Sequence, residues 1–230
     1  MVSSAPAFLL GMERKITFRG HSPDSWSVKE AGTRPSERIF LLSPAHLGGA
    51  RAKRLRGPEP ASELGRRLRT GGLTLGELFS STSSLYFRGK LAYAQRFAVP
   101  PAGVEACYII TSSRGLLPPN CPVDVALLEE LASVALVDAE DERYRIPLAR
   151  DALSLRERLG ASCEVALLGS VATPKYVKPL LEVFGARLVF PSMFDGRGNM
   201  SRGGLLLRCV REGTELGYVS AASLSRTGIR

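Results

Sequence analysis

The chain has 230 residues, of which 44% are hydrophobic and 23% are charged, which is typical of one folded domain with a tail. A chain of this length can bury a core without a disulfide or a metal, and it has no apolar run of the roughly 18 residues that a membrane span needs. Its 31 Lys and Arg residues against 22 Asp and Glu residues give a formal charge of +9. This surplus favours a nucleic acid or a phosphorylated small molecule as partner, although a solvated basic surface would have the same composition.

Residues 1–36 contain scattered serines and prolines and no lasting apolar periodicity. Such a segment cannot bury a core, so we expect these residues to form a disordered N-terminal tail. We assign residues 37–222 to a single folded domain and residues 223–230 to a short C-terminal tail.

Apolar runs and helical periodicity alternate along the domain. In chain order we predict a strand at Arg38–Ser43, helices at Arg51–Leu55, Ala61–Arg69, Leu75–Phe79 and Ser83–Phe97, a strand at Cys107–Thr111, helices at Val125–Ala132 and Arg143–Leu159, a strand at Val165–Leu168, a helix at Lys175–Phe184, a strand at Arg187–Phe190 and a helix at Leu205–Val210. Strands that alternate with helices pair in parallel through helical crossovers. The sequence therefore predicts a three-layer, Rossmann-like α/β domain with a mainly parallel sheet.

Each predicted strand leads into a loop of small and polar residues. Ligands of open α/β sheets bind beyond the carboxyl ends of the strands, so parallel strands would bring these loops to one edge. The candidate ligand-binding residues of the first three loops are Ser43, Gly48, Gly49, Arg114, Gly115, Gly169 and Ser170, and Ser112 is a candidate catalytic residue. Each glycine could equally serve a tight turn or lead into a helix.

The fourth loop, Asp195–Gly204, places charged and polar side chains among glycines that allow close backbone approach to a ligand. We expect Asp195 to be catalytic and to share one pocket with Arg114. Alternatively, Asp195 pairs with a nearby arginine and only orders the loop. We expect Ser201 to cap the following helix, whose start would be an anion site. The residues of this loop that we expect to bind ligand are Arg197, Asn199, Ser201 and Arg202.

The predicted helix Ser83–Phe97 carries Tyr86 in its first turn, where the ring could stack on a base or pack at the boundary of the core. The mixed spacing of Tyr86, Arg88 and Lys90 predicts that these side chains point to different faces.

A basic stretch at residues 51–69 contains seven Lys or Arg residues against two Glu residues. It is a candidate phosphate-binding surface.

The motifs of common catalytic sites are absent from the sequence. It contains no Walker motif, no complete GxGxxG fingerprint, no GxSxG elbow and no CxxC pair, and its only histidines are His21 and His46. We therefore predict no metal site and assign no cofactor. Cys107, Cys163 and Cys209 lie in apolar runs and are expected to be buried thiols of a reducing, cytoplasmic compartment.

Three stretches resemble a small bacterial α/β family, the YaaA-like group. They are SLYFRGKLAYA at 84–94, YIITSSRGLLP at 108–118, and VALLG at 165–169 followed by KYVKPLL at 175–181. The group is similar to a domain of the DpdC component of bacterial 7-deazaguanine DNA-modification clusters. The resemblance covers residues 38–191, implies a connection to nucleic acid or a modified base, and carries over Tyr86, Ser112, Arg114 and Gly115 as candidate site residues. Ser113 and Arg114 replace the lysine and aromatic pair of the family pattern, and Asp195–Arg208 has no counterpart.

These observations favour an enzyme or enzyme-like domain that processes a nucleobase, nucleotide or nucleic acid, in its sharpest form a 7-deazaguanine-type base. Two alternatives stay open. A non-enzymatic nucleic-acid-binding protein would explain the scarcity of titratable bases. A binding module for a phosphorylated small ligand would explain the glycine-containing edge loops.

Overall fold

The computed structural model describes residues 37–57, 62–83, 85–134, 141–170, 174–194 and 196–226. The predicted N-terminal tail, the candidate catalytic Asp195, Ser84 and residues 171–173 of the third loop lie outside these ranges. No helix within them is long and apolar enough to cross a membrane.

The described ranges contain eight strands, six of which form one sheet. The strands are β1 (Arg38–Leu42), β2 (Leu73–Thr74), β3 (Cys107–Ile110), β4 (Leu116–Leu117), β5 (Pro122–Val123), β6 (Glu164–Leu168), β7 (Leu188–Pro191) and β8 (Tyr218–Ser220). The order in the sheet is β4-β3-β1-β6-β7-β8, with the four inner strands parallel and both edge strands antiparallel. The prediction of a mainly parallel sheet is therefore confirmed. β2 and β5 form a separate antiparallel pair.

Helices cover both faces of the sheet. They are α1 (Ala50–Arg56), α2 (Glu63–Arg69), α3 (Leu75–Thr82), α4 (Leu85–Phe97), α5 (Val125–Ser133), α6 (Glu142–Arg158), α7 (Pro174–Phe184) and α8 (Asn199–Glu212). Phe40 and Leu42 of β1 face a core built from α1–α5 and α8, whereas Ile39 and Leu41 face a core built from α6 and α7. Every β1 side chain from Ile39 to Leu42 is buried because both faces are covered, which gives the three layers that the sequence predicts.

Helices α4 and α8 approach each other at two glycines. A Cβ on Gly203 would lie 2.8 Å from the backbone nitrogen and Cα of Tyr86, and a Cβ on Gly89 would lie 2.8 Å from the carbonyl oxygen of Gly203. Because backbone atoms cannot yield as a flexible side chain does, these positions require glycine. The contact holds the N-terminal half of α8 against Tyr86.

The start of α8 differs from the prediction. The helix begins at Asn199, six residues before the predicted start at Leu205, and Gly198 is its N-cap, with extended backbone and no capping side chain. Ser201 lies inside the first turn, where its hydroxyl accepts a hydrogen bond from Arg197 at 3.2 Å. The prediction that Ser201 caps this helix is wrong. The N-cap is the residue with extended backbone directly before the first helical residue, and here that residue is Gly198.

Candidate functional site

The topological switch point of the sheet lies between β1 and β6. The two strands pair in parallel from Arg38 with Glu164 to Leu42 with Leu168. After β1 the chain enters the helices of one layer, and after β6 it enters α7 of the other layer. The two connections diverge and leave a crevice beyond Leu42 and Leu168, which is where open α/β sheets bind ligands.

A cleft of about 250 Å³ opens at this edge of the sheet, and we call it the edge cleft. Two of the four predicted loops contribute to it, through residues 44–48 after β1 and Ser112 after β3, and the first turn of α7, which follows the third loop, also lines it. Phe79 and Tyr176 add aromatic rings, Lys175 adds an ammonium group, and the described lining contains no carboxylate. The edge cleft therefore combines flat apolar surface with a cation.

Lys90 is a buried lysine at the same edge, with only 1% of the residue exposed. Its Nζ donates hydrogen bonds to the carbonyl oxygen of Ser43 and, over 2.8 Å, to the hydroxyl oxygen Oγ of Ser43. The ring centroids of Tyr86 and Phe87 lie 4.6 and 5.1 Å from Nζ. Burial lowers the pKa of Lys90 to about 7, because water no longer solvates the ammonium form and no carboxylate in the described part of the chain pairs with it.

Tyr86 and Tyr176 bring the two helix layers together near the end of the sheet. Burial raises the pKa of Tyr176 to about 12, and the neighbouring Tyr86 hydroxyl contributes to the rise. Burial also raises the pKa of Tyr86, with the Arg202 guanidinium opposing it. The Arg202 guanidinium lies close to the Tyr86 hydroxyl, but neither it nor any other described group has the geometry of a hydrogen bond to that hydroxyl. Arg202 instead donates from Nε and Nη2 to the carbonyl oxygen of Phe194, at 3.1 and 2.8 Å.

Arg114 lies on the β3 side of the sheet. Its guanidinium is exposed and pairs with Glu130 of α5, with 2.7 Å between Nε and Oε1. β1 and β6 separate β3 from β7, so the loops after β3 and β7 start about 14 Å apart. No described contact joins Arg114 to the residues after β7. The shared pocket of Arg114 and Asp195 stays a prediction, because Asp195 lies outside the described residues.

Ser112 and Gly115 make contacts that order the loop after β3. The Ser112 hydroxyl donates to the carbonyl oxygen of Leu131 at 2.7 Å while the residue lines the edge cleft. Gly115 has a φ of +64°, and a Cβ there would lie 2.2 Å from Oδ2 of Asp151. That same oxygen accepts a hydrogen bond from the Leu116 amide at 2.9 Å, so the packing against α6 accounts for this glycine.

The other candidates divide between the edge and the surface. Gly48 lines the edge cleft beside the His46 ring, Gly49 is the N-cap of α1, and Gly169 packs against Ser43 at the switch point. The candidates with partly or fully exposed side chains are Ser170, Arg197, Asn199 and Ser201. Within the described ranges no group of three potential metal ligands is found.

Most cations of the basic stretch already have partners within the chain. Arg66 pairs with Glu63, and Arg67 contacts both Glu77 and the carbonyl oxygen of Gly72. Arg51, Arg56 and Arg69 donate to backbone carbonyl groups. These contacts give the arginines a structural role that the charge count alone does not reveal.

Lys90 is the functional candidate that sequence reasoning missed. Tyr86 and Lys90 are four residues apart, so they share the buried face of α4, and only Arg88 of the three points to solvent. The prediction that all three point to different faces is wrong. The detectable signal was a lysine in register with the apolar positions Tyr86, Tyr93 and Phe97.

No family model, curated protein or solved structure matches the chain. A function for this chain is therefore inferred from its residues and their geometry.

Proposed function

We propose that the chain binds a nucleobase-containing, phosphate-bearing small molecule in the edge cleft and processes it there. The observation that carries this proposal is the cleft itself, which opens beside the β1–β6 switch point and is lined by two aromatic rings, a lysine and a serine. A planar base suits aromatic surface, and an anionic phosphate suits the Lys175 ammonium and the start of a helix.

The size of the edge cleft favours a small ligand over a polymer. Its volume of about 250 Å³ lies just below the range of about 300–1,000 Å³ that is usual for small-molecule sites. The internal partners of the basic stretch also leave fewer cations for a nucleic-acid backbone. The YaaA-like resemblance supports the sharper version of the proposal, in which the base is a modified purine of the 7-deazaguanine type.

Thermal unfolding with a panel of compounds tests the proposal. The panel contains guanine, guanosine, GMP, a 7-deazaguanine base, inorganic phosphate, ribose 5-phosphate and a 12-nucleotide DNA. We expect a mononucleotide or modified base to raise Tm with a saturable dependence on concentration, because a ligand that binds only the folded chain stabilises it. Stabilisation by DNA alone, or by none of these compounds, would contradict the proposal.

A matched pair of lysines on α7 locates the ligand. Lys175→Gln removes the ammonium group that lines the edge cleft, and Lys178→Gln removes one about a turn further along the helix and outside the lining. We expect Lys175→Gln to weaken binding about 10-fold and Lys178→Gln to leave it unchanged, since a charge-assisted phosphate contact contributes about 1.5–3 kcal/mol.

A further inference from the structure

We propose that Ser43 and Lys90 form a serine–lysine catalytic dyad that hydrolyses a carboxylic ester or amide. The proposal does not depend on a nucleotide ligand, because it follows from the geometry of these two side chains and from the position of Ser43 directly before Pro44 of the edge cleft.

The first observation is the contact between the two reacting groups. The hydroxyl oxygen of Ser43 lies 2.8 Å from the Nζ atom of Lys90, which is within the reach that a general base needs to remove a proton. In the structure Nζ donates to both oxygens of Ser43, and the Ser43 hydroxyl donates to the carbonyl oxygen of Leu168 at 3.4 Å. When Lys90 is neutral, Nζ can keep one N–H on the Ser43 carbonyl, and the hydroxyl can turn from Leu168 so that its proton points to the amine lone pair. The pair thus satisfies the geometric requirement for a nucleophile and its base.

The second observation is the surroundings of Lys90. A lysine acts as a base only when it is neutral, and desolvation among apolar groups favours the neutral form. Lys90 is 1% exposed, contacts the rings of Tyr86 and Phe87, and has no ion pair with a described carboxylate. A lysine with a purely structural role is usually paired with a carboxylate or reaches solvent with its ammonium group, and among the residues that the structure describes Lys90 does neither.

The third observation is the position of Ser43 on the sheet. It directly follows β1 at the switch point and precedes Pro44, which lines the edge cleft. Gly169 packs closely against this serine, because a Cβ there would lie 3.1 Å from the Cβ and 3.3 Å from Oγ of Ser43, so any larger residue would crowd the hydroxyl. The nucleophile therefore lies at the edge where a substrate would enter.

The reaction has two balanced steps and needs only water besides the substrate. In the first step, Ser43 Oγ bonds to the acyl carbon while its proton moves to Lys90 Nζ. The bond from the acyl carbon to the leaving oxygen or nitrogen then breaks, and the leaving group takes that proton. In the second step, a water oxygen bonds to the acyl carbon and its proton moves to Nζ. Ser43 Oγ departs, recovers a proton from Nζ, and the carboxylic acid is released.

Labelling with diisopropyl fluorophosphate tests the dyad. An activated serine forms an Oγ–phosphorus bond as the phosphorus–fluorine bond breaks and fluoride leaves. Intact mass measures the rate, and peptide mapping locates the label. We expect one label per chain on Ser43, its loss in Ser43→Ala, and a rate at least ~100-fold lower in Lys90→Met. Ser81→Ala is the control, because Ser81 does not line the edge cleft and its hydroxyl donates to the Leu78 carbonyl within its own helix, so its removal should leave the rate unchanged.

Three labelling results would overturn the dyad: no label, a label on another serine such as Ser112, or an unchanged rate in a folded Lys90→Met chain. A second measurement covers the case in which Lys90→Met does not fold. Ser43→Cys leaves Lys90 in place, and its thiol should react with iodoacetamide at pH 7 faster than Cys121 in the same chain, since a nearby base promotes the thiolate. Cys121 is the internal control, because it is partly exposed and burial raises its pKa. A slower reaction at position 43 would contradict the proposal.

The proposed nucleotide binding and the proposed Ser43–Lys90 dyad can be refuted independently of each other. A labelled Ser43 in a chain that binds no nucleotide would retain the dyad and reject the proposed ligand. Saturable nucleotide binding without any label on Ser43 would retain the proposed ligand and reject the dyad.

Discussion

Replacing Lys90 by methionine should change how the stability of the fold depends on pH. Methionine has a similar length and no charge, so Lys90→Met removes the amine without opening a large cavity. The folded chain releases the Lys90 proton near pH 7, whereas the unfolded chain releases it near pH 10.5. Between these values the unfolded chain binds more protons, so raising the pH stabilises the folded wild-type chain.

The magnitude follows from these two pKa values. Going from pH 7 to pH 9 should recover about 2 kcal/mol of the roughly 4–5 kcal/mol that burying this ammonium costs below pH 7. Methionine leaves the Ser43 carbonyl and hydroxyl without the Lys90 donor, a cost of about 1–3 kcal/mol that does not vary with pH. The pH dependence of the difference between the two chains therefore isolates the amine.

Urea unfolding followed by circular dichroism at pH 7 and pH 9 measures the difference. We expect the free energy of unfolding of the wild type, relative to Lys90→Met, to rise by about 2 kcal/mol over this interval. Burial raises the pKa of Cys107 to about 12 and that of Cys163 to about 11, which lowers stability as the pH rises past the ordinary thiol range. Both chains contain these thiols, so their effect cancels in the comparison.

The control for this experiment is Lys53→Met, which removes an exposed ammonium group of α1 that is in water in both states. Its difference from the wild type should stay constant between pH 7 and pH 9. An equally constant difference for Lys90→Met would refute the reasoning, because it would show that Lys90 keeps its proton in the folded chain.

Three further predictions test the packing and the charge. Gly203→Ala should destabilise the fold by about 1–3 kcal/mol in urea because its Cβ would meet the Tyr86 backbone, whereas Gly204→Ala, with open space around it, should be neutral or stabilise by up to about 1 kcal/mol. Tyr86→Phe should raise the free energy of unfolding by about 1 kcal/mol, since it removes a buried hydroxyl with no described hydrogen bond, and a loss of stability would reveal a partner for that hydroxyl. If the basic stretch contacts DNA phosphates, the affinity for DNA measured by fluorescence anisotropy should fall steeply as the salt concentration rises. The combined substitutions Arg51→Ser, Arg54→Ser and Arg66→Ser should reduce that slope. An affinity that does not change with salt would contradict a role for these charges in binding.

The layers of the fold were predictable because each depends on a local pattern. β3 and β7 are apolar throughout, and β1 and β6 are apolar after their first residues, Arg38 and Glu164. A strand that is covered on both faces needs such a run. β2, β4, β5 and β8 have only two or three residues each. Such short strands exist because a distant segment supplies their hydrogen bonds, and no periodicity within the segment can reveal that pairing.

The candidate site was only partly predictable, because its groups meet through long-range packing. The rule that ligands bind at strand ends led to Ser43, Ser112 and Gly169, which are close to the edge cleft or line it. Lys90 is 47 residues from Ser43 in the chain, and their contact arises only when α4 packs on β1. Arg114 was predicted to bind a ligand because the sequence does not reveal its ion pair with Glu130, which lies 16 residues further along the chain in α5.

The cost of burying Lys90 is itself an argument that the position serves a function. If only packing and stability mattered, an apolar side chain would fill this volume without desolvating an ammonium, and a carboxylate partner would compensate for one that remained. The chain has neither solution in its described part, and instead places the amine against the hydroxyl at the sheet's switch point. Strongly perturbed titratable groups cluster at functional sites because catalysis needs protonation states that stability alone would not select. We expect a Lys90→Met chain to be more stable than the wild type at pH 7 and to lose the label at Ser43. Such a variant would show that the buried amine lowers stability and that it is needed for the reactivity of Ser43.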